Sequence, residues 1–211
     1  MFIYNYYNAS AKYSFWLGLY FECFRFSGKF HYFVILIITI CDFIVIIFLF
    51  QAGLSSNEGV VKRSFEMTKT ITKNYFSFIR NNHFANLVDC LCAYAISKKD
   101  VDLSLEAISC LKFCAKKLSE MKPQTEDENS GEAPNAETQK WYDHWLTLVN
   151  AFVKTILGAT VDNRRVALNT LFSILKSEGG AFDTRLWRLI FSQGLWHLFD
   201  RLKSVTADTK V

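Results

Sequence analysis

The side chains of this 211-residue sequence with the clearest capacity for chemistry are six cysteines, four histidines and five tryptophans. Cys90-x-Cys92 and the Cys110/Cys114 pair, with His83 nearby, carry the donors that zinc prefers, thiolate and imidazole. Structural zinc sites place such pairs on turns, whereas both pairs here fall inside helical patterns. Buried free thiols acting as small apolar residues are the preferred reading. His31, His83, His144 and His197 are dispersed, and none has a serine, cysteine or carboxylate partner at a catalytic spacing. No G-x-S-x-G, phosphate-cradling glycine loop or H-E-x-x-H occurs. These residues provide no catalytic, cofactor-binding or metal site, and no cofactor is expected. Tryptophan is also the residue of interface hot spots. Trp141, Trp145 and Trp187 stand at helical spacing and read as core, while Trp196 lies off the stripe and reads as an exposed anchor.

The elements that hold these residues are legible from composition. The chain is 51% hydrophobic and 21% charged, enough apolar material for a packed core, and its two prolines and nine glycines are too few for a turn-rich β chain. Long helices fit better. The six cysteines make no disulfide framework in a chain of this size and read as reduced, cytosolic thiols. Net charge is +4, with lysine and arginine scattered rather than striped, which argues against dedicated nucleic-acid binding.

Residues 1–60 differ in kind from the rest and hold ten of the twenty phenylalanines up to position 50. Tyr32–Phe50 is an almost wholly apolar run of 19 residues, close to the ~20 that cross a bilayer. Asp42, near its middle, costs roughly 2.5–3.5 kcal/mol on insertion scales. Basic residues flank the run on both sides, so the positive-inside rule gives no orientation. Two readings stay open: a transmembrane helix at 32–50, or a hydrophobic segment that is non-native sequence.

Residues 61–118 read as a first unit of three helices. Val61, Phe65, Thr68, Ile71, Tyr75 and Phe78 form one apolar stripe, Phe84, Leu87, Val88, Leu91 and Ala95 a second, and Leu105, Ile108, Leu111, Ala115 and Leu118 a third. Asp102 is the expected N-cap of the third helix. Residues 119–138 contain both prolines and six acids without apolar periodicity, and read as an acidic disordered linker. Residues 139–203 read as a second three-helix unit. Trp141, Trp145, Leu148, Phe152 and Ile156 share one face. Asp162 is expected to cap the next helix, whose stripe is Leu168, Leu171, Phe172 and Leu175. Arg164 and Arg165 beside Asp162 read as solvated or ion-paired. Gly179 and Gly180 are expected to stop that helix in the left-handed conformation. Asp183 or Thr184 then caps a last helix, with Trp187, Ile190, Phe191, Leu198 and Leu202 inward, and 204–211 is a frayed tail. No helix set buries its stripe alone. Stacked antiparallel helices with a shared core make an all-α, α-solenoid arrangement.

Two stretches go beyond generic helices. Asp102-Leu-Ser-Leu-Glu106-Ala-Ile-Ser-Cys-Leu-Lys-Phe-Cys-Ala-Lys resembles the D-x-S-x-E-A-I…C-A-K segment of brefeldin A-inhibited, Sec-seven type guanine-nucleotide exchange factors for ARF GTPases. Asp162-Asn-Arg164, Ala167-Leu168, Leu171-Phe172-Ser-Ile-Leu175, Gly179, Phe182, Trp187 and Phe199-Asp200 resemble that family's D-x-R…A-L…L-F-x-I-L…G…F…W…F-D signature. Mon-two type scaffolds share the second pattern, while the C-A-K segment favours the exchange factors. The resemblance covers about 61–203 and implies armadillo/HEAT-like repeats from the region downstream of the catalytic domain. The family's catalytic F-R-L-P-G-E loop does not occur here. The resemblance therefore implies a non-catalytic regulatory or scaffold module at the cytoplasmic face of the Golgi or trans-Golgi network. Its implied partners are ARF/Rab-type small GTPases, other parts of an exchange factor, or a second copy in a dimer. It carries over no individual contact residue; the motif positions read as cap, core stripe, helix stop and core anchor. The alternative is a small integral membrane protein with a cytosolic helical interaction domain.

Overall fold

A computed structural model describes Leu49, residues 52–53, Ser55, and residues 57–79, 81–98, 100–123 and 134–201, all within the unit Asp42–Val211. Most of the expected 32–50 span, Cys23, Cys41, His31, Leu202, the tail and residues 124–133 of the acidic stretch lie outside the described residues. No helix among the described residues is long and apolar enough to cross a membrane.

Every described element is helical. Helix α1 is Glu58–Asn74, followed by a 3-10 turn at Phe76–Phe78. Helix α2 is Asn81–Ile96, α3 is Val101–Glu120, α4 is Ala136–Gly158 and α5 is Val161–Glu178. A 3-10 turn at Gly179–Ala181 leads into α6, Thr184–Leu189. The helix then widens into a π-turn at Ile190–Leu195 and continues over 196–201.

Helix starts are set by the first residue the core must take. In α3 that residue is Leu103, buried at the third helical position, so the cap lies three residues earlier. Asp100, not the expected Asp102, accepts the Leu103 N–H at 3.1 Å. That bond, helped by Lys62 at 3.2 Å, holds the Asp100 carboxyl below its usual range. Helix α5 repeats the offset. Asn163 is buried at its third position, so the N-cap is Thr160 and not Asp162, and Thr160 makes no side-chain capping bond. Asp102 and Asp162 instead sit in first turns, where a carboxylate favours the positive end of the helix dipole. Asp183 does cap α6, accepting from Leu186 N–H at 2.6 Å.

The packing has two rows. Helix α1 packs on α3 and α3 on α5, while α2 packs on α4 and α4 on the π-turn segment. Neighbours α1–α2, α2–α3, α3–α4 and α4–α5 also touch. Contact with the next helix in the chain and with the one after it is the pattern of stacked helical hairpins, consistent with an α-solenoid. The core between the rows is filled by Leu87, Leu91, Ile108, Leu111, Trp145, Leu148, Phe152 and Leu171. Burying each such side chain contributes about 1.5–3 kcal/mol. Backbone ends are tied across elements: Ser104 Oγ donates to the Ser97 carbonyl at 2.7 Å, and Trp141 Nε1 donates to the Leu118 carbonyl at 2.8 Å. The latter joins α4 to the end of α3 across the undescribed stretch.

Candidate interaction surface

The fold does not bring the cysteine pairs into a ligand set among the described residues. Cys90, Cys92, Cys110 and Cys114 are free and buried. Among the described residues no three His, Cys, Asp or Glu side chains are placed to hold a metal ion. Burial pushes the Cys90 thiol up to about 12, with the Thr68 hydroxyl offsetting part of the rise, and the Cys110 thiol up to about 11 against the charges of Lys73 and Lys69. Burial also raises Cys92 and Cys114. A neutral buried thiol is a poor nucleophile and ligand. Cys92 serves as a packing donor, its Sγ lying 3.4 Å from the Ala151 carbonyl on α4.

The motif positions distribute between core and surface. Leu171 is buried as its stripe required and Phe182 is buried too, while Asp102, Glu106, Asp162, Arg164 and Asp200 are exposed. Glu106 pairs with Lys69 of α1, linking the first two helices of one row. Arg164 donates from Nη2 to the Ala159 carbonyl at 3.4 Å, in keeping with a solvated side chain at a helix start.

Three motif expectations are corrected. Gly179 is indeed the C-cap of α5, but its φ is −62° and neither it nor Gly180 is left-handed. Its lack of a side chain makes room for a ring. A Cβ there would stand 2.5 Å from Cζ2 of Trp187 and 3.0 Å from its Cη2, far inside contact distance. Trp187 itself is half-buried rather than a core anchor. Phe172 is 46% exposed and Phe191 54% exposed, although both belong to apolar stripes expected to face inward. The row partners that would cover them are not supplied by the preceding helices.

Tryptophan and phenylalanine together form a ladder that leads outward. Trp145 of α4 meets Phe182 edge-on with ring centroids 4.6 Å apart, Phe182 meets Trp187 at 5.2 Å, and Trp187 meets Phe191 at 5.7 Å. The series runs from a fully buried indole to a phenyl ring in solvent. Beyond it, Trp196 is 62% exposed, as its off-stripe position indicated, and Phe199 is 44% exposed. Leu157, Val161 and Val166 are exposed as well, so seven of the nine large exposed apolar side chains among the described residues lie between 157 and 199. Single exposed apolar residues need no explanation, but Phe191, Trp196 and Phe199 follow one another within nine residues of the terminal helical segment and make it a candidate contact surface. Phe172 and Phe191 were misplaced because periodicity reports an apolar stripe without reporting how much of it the protein's own helices cover.

Close approach by glycine recurs beneath this surface. A Cβ on Gly194, in the π-turn, would fall 2.7 Å from Cγ1 of Val149, so the terminal helix lies with its backbone directly against α4. The π-turn widens the helix there while Ile190, Leu195 and Leu198 remain buried and the aromatic side chains stay outside.

Comparison with known proteins bears on what this surface serves. Brefeldin A-inhibited guanine nucleotide-exchange protein 3 of Arabidopsis thaliana is 29% identical over 170 residues, spanning 72% of this chain and 10% of that protein. Protein 1 of the same plant is 26% identical over 166 residues, and protein 1 of Homo sapiens is 26% identical over 161 residues. The homologues of this chain are brefeldin A-inhibited guanine nucleotide-exchange proteins. The matched stretches span 71% of this chain and 10% of the second plant protein, and 72% of this chain and 8% of the human one. The chain therefore spans about a tenth of the length of the exchange proteins it matches. No protein-family model matches the chain, and no solved structure matches it.

Proposed function

We propose that this chain is a non-catalytic regulatory or scaffold module of an ARF guanine-nucleotide exchange factor. It is armadillo/HEAT-like and acts by protein–protein contact in vesicle transport at the Golgi periphery. The observation that carries the reading is the exposed aromatic surface of the last helices, Phe191, Trp196 and Phe199, on a helical stack homologous to exchange proteins. Aromatic side chains of this size bury about 150–250 Å² each and dominate interface energetics. An ARF/Rab-type GTPase or another part of an exchange factor is the partner this reading calls for. The motif positions Asp102, Glu106, Asp162, Arg164, Leu171, Phe172, Gly179, Phe182, Trp187, Phe199 and Asp200 shape that module rather than react.

The test is calorimetric titration of the full chain with ARF and with the remaining segments of a brefeldin A-inhibited exchange protein. Binding to one of them, lost when Phe191, Trp196 and Phe199 are changed together to serine, is the expected result. Unchanged binding by that variant, or binding to none of them, overturns the reading.

A further inference from the structure

Away from the aromatic surface, a groove of about 270 Å³ runs between α3 and α5. Ser109, Lys112, Phe113 and Lys116 line it from α3, and Ile174 and Glu178 from α5. Lys112 and Lys116 are one helical turn apart and so lie on the same face of α3, with roughly 6 Å between their attachment points. Both are exposed, and neither is within ion-pair distance of any carboxylate among the described residues. Two other lysines nearby are ion-paired. Lys69 pairs with Glu66 and Glu106, and Lys117 pairs with Glu120 at 2.6 Å while lying over the Phe113 ring. In the groove lining two lysines stand against one acid, and the Glu120 carboxylate one turn beyond Lys116 is held chiefly by Lys117. Its floor is apolar, with Phe113 held edge-on against Phe76 of the turn before α2 and Ile174 buried beneath. Glu178, accepting from Ser177 Oγ at 2.8 Å, is its one acid.

We propose that this groove binds an acidic peptide segment that carries a large apolar side chain. Two carboxylates about a turn apart reach Lys112 and Lys116, and the apolar side chain between them lies on Phe113 and Ile174. Charge complementarity selects the peptide, and the floor gives it a register. A membrane surface fits less well. Polybasic lipid binding takes clusters of about 4–8 basic residues, whereas two line this groove. The inference is independent of the aromatic surface and of the reading built on it.

The test uses the full chain and a fluorescein-labelled peptide of alternating glutamate and leucine pairs, read by fluorescence anisotropy. Saturable binding that weakens with salt is expected, because exposed pairs are screened over about 8 Å at physiological ionic strength. The double variant Lys112→Glu, Lys116→Glu should weaken it by about tenfold or more, while Lys140→Glu, exposed on α4, leaves it unchanged. Both changes replace exposed side chains, and far-UV circular dichroism of the variants confirms that the helices persist. The proposal is overturned if the wild-type chain ignores the peptide or the double variant binds it equally. It is also overturned if a peptide with glutamine in place of glutamate binds as well, or if only phosphatidylserine-containing vesicles are captured.

Discussion

Replacing Gly179 by alanine separates two explanations of one residue. If the glycine served a left-handed helix stop, alanine would be strained by its backbone. Its φ of −62° is instead ordinary for alanine, and by reducing unfolded-state freedom the substitution should stabilise by about 0.4–1 kcal/mol. Against that stands the ring of Trp187, 2.5 Å from the new methyl carbon and confined between Phe182 and Phe191. Overpacking of this kind costs about 1–3 kcal/mol, towards the low end because Trp187 is only half-buried and can shift. The steric effect is the larger, and after subtraction of the backbone gain Gly179→Ala should destabilise by about 0.5–1 kcal/mol, or about 1–4 °C in Tm for a chain of this size. Gly180 has no atom within 4 Å of its Cβ position, so Gly180→Ala should be neutral or slightly stabilising. Urea denaturation followed by far-UV circular dichroism gives both values, and a cycle with Trp187→Phe isolates the contact. Because phenylalanine lacks the indole atoms nearest Gly179, the alanine penalty should vanish in that background. Equal penalties in both backgrounds, or a harmless Gly179→Ala in the wild type, would refute the close-approach explanation.

Other outcomes follow from the same contacts. Asp100→Ala should cost about 1 kcal/mol through loss of the α3 cap, whereas Asp102→Ala should stay within about 0.5 kcal/mol, as measured by the same denaturation. Leu171→Ala, in the fully buried half of the α5 stripe, should cost about 2–5 kcal/mol, while Phe172→Ser, in its exposed half, should leave stability nearly unchanged. The buried thiols ionise near 9.0 when unfolded but only near 12 for Cys90 and 11 for Cys110 when folded. Their contribution is therefore complete below about pH 9 and is lost as pH rises towards those folded values, and Cys90→Ala should flatten the alkaline limb of a stability–pH profile. In native protein none of Cys90, Cys92, Cys110 or Cys114 should react with a thiol reagent on the timescale of exposed cysteine, and all four should react in denaturant.

Much of this was legible in the amino-acid order because helical period is a local property. The stripes of Phe65–Ile71, Leu87–Leu91 and Ile108–Leu118 are buried where spacing placed them, and Trp196 lies outside. Boundaries failed where two capping residues compete for one role. Asp100 and Asp102 flank Val101, and only the depth of Leu103 decides between them; Thr160 and Asp162 flank Val161 in the same way. Gly179 was found for the wrong reason, since a helix-ending glycine and one crowded by a distant ring look alike until Trp187 is placed. The exposed side of the α5 stripe and the Lys112–Lys116 groove depend on which neighbour packs where, a long-range fact that no local spacing carries.

The central claim is that this helical stack serves contact rather than nucleotide release. It is tested most directly by fluorescent-nucleotide release from ARF with the full chain added, beside an exchange domain as positive control. Release at the intrinsic rate at every concentration of the chain is the predicted result. Concentration-dependent acceleration by the chain alone would contradict it.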